Sequence, residues 1–356
     1  MIAAVILLLV LAACIAFQYL KGTALRAAVT VFTLIIASVV AFAFFEKLSQ
    51  ILVRQISDSS PSAFAPYAYP LVFFLLLVIT FAVLQTAASR LARKAIILAP
   101  LPEKIGRALS GAITGLILAG LLITVLAMTP IKNNIPYQRF PAQNPDPEKP
   151  SRVPLNIDAL PAAIFSMASR GGLAGKNSFP LFHPSILDES FLNRLSADQD
   201  ISPLSPDNAI EVPASTPAWL ASPELKTTDG NPLNVKPAHN LIVVRVGFKR
   251  NAGSFSLSQL RLICNEKENQ EQPLSGAGLN AYPIGCFTQT GQIRLEKLSQ
   301  KIEIPAGAFK GSVKYVDFLF AVPSTHIPVL VAYKQNNIVT VPKVISTENA
   351  PPVEGL

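Results

Sequence analysis

Three histidines (His183, His239, His326) and three cysteines (Cys14, Cys264, Cys286) are the side chains on which nucleophilic, acid–base or metal chemistry would be built in this sequence. Nucleophilic catalysis needs a base beside the attacking Ser or Cys and a third group that orients the base. His239 directly precedes an alternating apolar run and lacks the Ala-Ala-His-Cys surroundings of trypsin-like proteases. No Gly-Asp-Ser-Gly-Gly loop is present, and the nearest glycine-rich serine, in Ser275-Gly276-Ala277-Gly278, reads as an ordinary loop. His and Cys do not cluster at metal-ligand spacing, and there is no His-Glu-x-x-His. The expectation is a protein without catalytic, cofactor-binding or metal residues, with a membrane-anchored hydrolase as a remote alternative.

The composition turns attention to the elements. Of 356 residues, 50% are hydrophobic and only 15% charged, against about 25% charged in a soluble domain. The net charge is +8. Residues 1–130 hold nine basic side chains (Lys21, Arg26, Lys47, Arg54, Arg90, Arg93, Lys94, Lys104, Arg107) against Glu46, Asp58 and Glu103, which is +6 of that total. A nucleic-acid reader would concentrate its charge on a soluble face, so nucleic acid is not an expected partner. Four runs are long and apolar enough to cross a bilayer, which needs about 20 residues each: Met1–Leu20, Leu25–Phe45, Tyr69–Ala88 and Leu109–Met128. The lipid bilayer is the first partner.

Lys/Arg bias in short loops sets orientation. Seven of the nine basic residues fall in the first and third loops, which must share a side. Those loops are expected in the cytoplasm, so both termini and residues 131–356 are expected outside it. Leu11-Ala12-Ala13-Cys14 matches a lipoprotein-type cleavage box, but no basic segment precedes it and Ile15-Ala16-Phe17 continues the run, so Cys14 reads as a helix residue. No ionisable side chain lies mid-span, which disfavours proton relay and intramembrane proteolysis. Gly111, Gly115 and Ala119 form a small-residue stripe at helical spacing in the fourth span. Such stripes let helices approach closely in lipid. Packing within the bundle is the simpler use of it, and a self-association or partner face is the sharper one.

The sequence Leu20-Lys21-Gly22 followed by Arg26 and an apolar span, and Arg107-Ala108-Leu109-Ser110-Gly111-Ala112-Ile113-Thr114-Gly115 entering the fourth span, resemble the colicin V production protein (CvpA) family over residues 1–130. The motif residues are Lys21, Gly22, Arg26 and Arg107. Two positions depart from the family: Ala27 stands where an acidic residue often follows the arginine, and an Asp near the start of span one is missing. Met167-Ala168-Ser169-Arg170-Gly171-Gly172-Leu173 is similar to a short helix that follows the membrane part in longer members. The resemblance implies a multi-pass inner-membrane protein linked to colicin V production or export and to envelope homeostasis. Some family members carry a trypsin-like protease after the spans, which the histidine and serine contexts here do not match.

Residues 131–240 hold sixteen of the 30 prolines. Residues 131–156 and 201–240 read as Pro-rich linkers, and 157–200 as short helices, one over Ile157–Ala168 and one over Asp188–Leu195, whose small apolar faces must dock elsewhere. From Leu241 the period becomes two: Ile242/Val244/Val246/Phe248 alternate with Arg245 and Lys249, Leu260/Leu262/Cys264 with Arg261, and Val316/Phe318/Phe320/Val322 follow. This predicts a small β-sandwich over 241–345, with 346–356 as a tail. Phe320-Ala321-Val322-Pro323 followed by Val329–Tyr333 resembles small immunoglobulin-like domains of exported bacterial proteins, which implies binding. Cys264 and Cys286 form an even pair in a region expected in an oxidising compartment. A disulfide between them is expected, worth about 3 kcal/mol for a loop of about 22 residues.

The fold class is therefore α + β: a four-helix transmembrane bundle, a Pro-rich linker with short helices, and an immunoglobulin-like β-sandwich. The expected function is that of an interaction protein, a CvpA-like membrane base whose exported sandwich binds another envelope protein or a second copy. A transport or channel component built from oligomerised spans is the alternative.

Overall fold

A computed structural model describes all residues except 1, 58–63, 92–98, 174, 196–198, 223–224, 234 and 310. Arg93 and Lys94 of the third loop and Asp58 of the second therefore lie outside the described residues. The chain divides into two compact units, residues 1–139 with 150–171, and residues 140–149 with 172–356.

The first unit holds α1 (Ile2–Leu20), α2 (Ala24–Ser57), α3 (Ala68–Leu91) and α4 (Pro100–Met128), each long and apolar enough to span a bilayer. In hydrocarbon every backbone group must find its partner inside the segment, which enforces helix on uncharged runs of this length. Two helices exceed the apolar runs that nucleate them. α2 continues past Phe45 through Glu46, Lys47 and Arg54, and α4 starts nine residues before Leu109, with Pro100 in its first turn where no N–H is needed. α1 lies along α4, and α2 contacts both α3 and α4. Phe42, Phe45, Tyr69 and Phe73 form an edge-to-face aromatic cluster between α2 and α3, with Phe42 and Phe73 centroids 4.8 Å apart.

Several polar side chains within the bundle bond to one another or to their own helix. Gln18 Nε2 donates to Thr114 Oγ1 at 3.0 Å, joining α1 to α4. Gln85 Nε2 donates to Thr30 Oγ1 at 3.2 Å and its Oε1 accepts from Thr33 Oγ1 at 3.0 Å, joining α3 to α2. Thr86 and Thr124 return to the carbonyls four residues back. A fifth helix, α5 (Leu160–Arg170), belongs to the same unit: Phe165 stacks on Phe42 at 5.4 Å, and Val153 and Ile157 pack with Ala3, Leu7, Ala119 and Ile123.

The second unit holds α6 (Phe179–Phe182), α7 (Ile186–Arg194) and thirteen described strands: β1 (Ile210–Glu211), β2 (Ala218–Leu220), β3 (His239–Lys249), β4 (Phe255–Ser256), β5 (Leu260–Glu266), β6 (Leu279–Ala281), β7 (Pro283–Phe287), β8 (Ile293–Leu295), β9 (Lys301–Ile302), β10 (Val313–Pro323), β11 (His326–Tyr333), β12 (Asn337–Thr340) and β13 (Val344–Ile345). One sheet runs β13-β2-β3-β10-β7-β8 with β1 also on β3. A second runs β12-β11-β5-β6, and β4 pairs with β9. Register pairs Val246 with Val316, Val244 with Phe318 and Ile242 with Phe320, so the period-two set faces one core shared with Leu260, Leu262, Val331 and Tyr333 of the second sheet.

Three expectations change here. Alternation puts Arg245 and Arg261 on the outer faces of the sheets, yet each is only 8% exposed. The outer faces of both sheets are covered: Trp219, Phe287 and Ile293 pack over Val243 and Leu319, and Leu181 of α6 packs over Ile263, Leu330 and Ala332. Residues 201–240 are not linker, since β1 and β2 join the larger sheet and Ile201, Leu204 and Ala209 are buried. Proline fixes the extended backbone that short edge segments adopt, so its density does not by itself mark a spacer. Nor is 346–356 a free tail. Asp317 and Glu354 exchange two hydrogen bonds, Leu356 N–H donates to the Phe287 carbonyl at 3.0 Å, and a Cβ on Gly355 would stand 2.1 Å from the Thr288 carbonyl carbon.

Candidate functional site

The small-residue stripe lies on the α1 side of α4. A Cβ on Gly111 would stand 2.8 Å from Ile15 Cα and 3.1 Å from the Cys14 carbonyl oxygen, and one on Gly115 2.9 Å from Leu11 Cα. Ala119 is fully buried beside Ala3 and Leu7. At the next residue, on a neighbouring face of α4, a Cβ on Gly120 would meet the Ile157 carbonyl oxygen at 2.3 Å and the Pro161 ring at 2.8 Å. The stripe is thus filled within this chain by α1 and by the segment that leads into α5.

At the other end of α4, the motif residues of the first loop meet a group that sequence reading counted only as a charge. Glu103, 5% exposed, accepts from the Ala24 backbone N–H at 2.8 Å and from Arg107 Nε at 2.9 Å. Arg107 also donates to the Tyr19 carbonyl at 3.4 Å. A carboxylate at the first amide of α2 satisfies an orphan donor and complements the helix dipole. Gly22, at φ +116°, makes the turn between α1 and α2 that delivers Ala24 there. Gly22 and Arg107 thus converge on Glu103, whereas Lys21 and Arg26 are exposed. The i, i+4 spacing of Glu103 and Arg107 is the signal in sequence that marks the pair.

In the second unit a buried polar network fastens α6 and α7 to the outer face of the smaller sheet. Glu189 Oε2 lies 2.6 Å from His183 Nδ1, and its Oε1 lies 2.9 Å from Arg261 Nη1 and accepts from Asn280 Nδ2 at 2.8 Å. Burial works to raise the Glu189 carboxyl, but Arg261 and His183, with bonds from His183 and Asn280, outweigh it and hold it at about 2. Arg261 also donates to the Phe182 carbonyl at 3.0 Å. His239 and His326 stand apart, at Pro237 and Thr325. No group of three or more His, Cys, Asp or Glu positioned to hold a metal occurs among the described residues.

Cys264 and Cys286 are free thiols, both buried in the sandwich core. This corrects the expected disulfide. Cys264 is in register with Leu279 on β6, while Cys286 lies seven residues further along the same run of chain, on β7 in the other sheet. The two thiols enter one core from strands of different sheets and are not joined. Each sulfur instead serves as a small apolar side chain. Burial pushes the Cys264 thiol far above its usual range and lifts Cys286 to about 11 despite Arg294 nearby.

A cleft of about 510 Å³ lies beside the larger sheet, between the loop Asn144–Glu148 and the entry to β3. Leu241, Ile284, Leu295, Leu298 and Tyr282 supply an apolar floor; Asp146, Glu296, Lys297 and His239 stand on the rim, with a Glu148–Lys236 ion pair. No protein-family model matches the chain, and comparison with curated proteins and with solved structures finds no match either. The site is therefore read from its own geometry. An apolar floor with a rim of both charges suits a polypeptide segment better than a small polyanion or a metal. No spacing in the sequence announces it, because its walls come from five separated stretches.

Proposed function

We propose that this protein is a CvpA-type multi-pass membrane base that holds a β-rich binding unit outside the cytoplasm and recruits another envelope protein through the cleft beside β3. The observation that carries the reading is the cleft, a concave apolar surface rimmed by charges of both signs on a rigid sheet. The bundle supports an anchoring role, since Gln18, Thr30, Thr33, Gln85 and Thr114 are engaged with one another rather than aligned along a path. The loop bias supports the orientation, with Lys21, Arg26, Arg90, Lys104 and Arg107 on one side of the spans. A photo-crosslinking residue at Leu295, 52% exposed on the cleft, should give a discrete adduct in intact cells. The same residue at Lys343, away from the cleft, should not. Equal adducts at both positions, or none at Leu295, would overturn the cleft as the binding surface.

A further inference from the structure

Leu155 is 83% exposed, a large apolar side chain with no protein cover, at φ +61°. On the next helix Met167 is 61% exposed, Ala163 is exposed, and the only charge in α5 is Arg170 at its end. The depth of this segment follows from what it touches. Pro161 and the Ile157 carbonyl pack on Gly120, which sits eight residues, or about 12 Å at 1.5 Å per residue, before α4 ends at Met128. Arg107, the last charge of α4, is 21 residues before that end, about 31 Å away, which matches a hydrocarbon core of about 30 Å. Phe165 stacks on Phe42, four residues or about 6 Å inside Glu46, the first charge that α2 meets at this end. Two independent contacts therefore place 157–165 about 6–12 Å below the surface.

We infer that Leu155 and α5 form a fifth membrane-embedded element, lying in the leaflet at which α4 ends, with Leu155 and Met167 in contact with acyl chains. An amphipathic helix lying in the interface buries its apolar face by about 5–10 Å, the same range. The exposed apolar surface is continuous in level with Ile2 and Val5 of α1 and Leu71 of α3, which are 49–52% exposed at the same end of the bundle. The charge beneath the segment is already matched within the protein: Asp158, fully buried, accepts from Arg139 at 2.8 Å and from the Tyr137 hydroxyl. Only paired ions are tolerated at such depth. Arg170 can extend its guanidinium back toward the headgroups. The inference rests on the four spans and on neither orientation of them.

The test is nitroxide depth measurement on the full chain in phosphatidylcholine–phosphatidylglycerol vesicles. Cys14→Ala removes the half-exposed native thiol, and single labels are placed by Leu155→Cys or Met167→Cys. Val5→Cys serves as the lipid reference and Leu295→Cys as the aqueous one. Both test labels should relax more strongly with oxygen than with an aqueous nickel chelate, with the sign seen at Val5. Relaxation like that at Leu295 would overturn the inference. So would labels shielded from both reagents, because protein rather than lipid would then cover the face.

Discussion

The α1–α4 contact yields a prediction whose sign depends on magnitude. Gly→Ala in a helix interior gains about 1 kcal/mol in propensity, so on local grounds Gly111→Ala and Gly115→Ala would stabilise. The structure reverses this. Carbon atoms in ordinary contact lie about 3.5–4.0 Å apart, and the new Cβ atoms would stand 2.8 and 2.9 Å from backbone carbons of α1. Backbone cannot rotate aside as a side chain can, so α1 must retreat by about 0.7–1 Å, and overpacking of that kind costs about 1–3 kcal/mol. The same retreat stretches the 3.0 Å Gln18–Thr114 bond past hydrogen-bond range, adding about 0.6 kcal/mol by the average for such bonds in membranes. The net expectation is a loss of about 0.6–2.6 kcal/mol for each substitution, and less than the sum for the pair, because one retreat accommodates both. The assay is the thermal midpoint of the full chain in mild detergent, followed by size exclusion with a fluorescent tag. Gly172→Ala, whose Cβ would meet nothing within 4 Å, is the control. A higher midpoint for either stripe variant would show propensity acting alone and would refute the close approach of α1.

Glu103→Gln should lower the same midpoint and leave Arg107 without its carboxylate, whereas Lys21→Gln, at an exposed position, should leave it unchanged. Glu189→Gln strips the ion partner from buried Arg261 and should destabilise the second unit by about 3–5 kcal/mol, read from Trp219 fluorescence in denaturant. Because the folded Glu189 value of about 2 lies below the ordinary 4.5, its contribution is complete above pH 4.5 and is lost as pH falls toward 2. The variant's pH profile should therefore be flatter over that window. Cys264 and Cys286 should resist alkylation in the native protein and both react in denaturant without reductant. Modification only after reduction would restore the bridge.

The spans were legible because hydropathy is a local property and lipid imposes one answer on it. Their true ends were not, because Glu46–Arg54 and Pro100–Ala108 continue as helix through contacts no window of sequence contains. Alternation found the strands around Val244, Leu262 and Phe318, since period two reports which residues share a face. It does not report that Trp219 and Leu181 cover the opposite faces, where Arg245 and Arg261 are buried. Prolines in 201–240 hid β1 and β2, and the ending hid a tail tied to Asp317 and Phe287. The cleft was illegible for the same reason as the Glu189 network: its parts are joined only by the fold.

The central claim is a membrane base carrying the β-rich unit outside the cytoplasm, and orientation of the intact chain tests it most directly. Alkaline phosphatase fused after Leu356 should be active in a Gram-negative host, and a green fluorescent protein at the same position dark. The reporters inserted after Arg90 should give the reverse pair. An inactive phosphatase and a bright fluorophore at Leu356 would put the cleft in the cytoplasm and contradict the account.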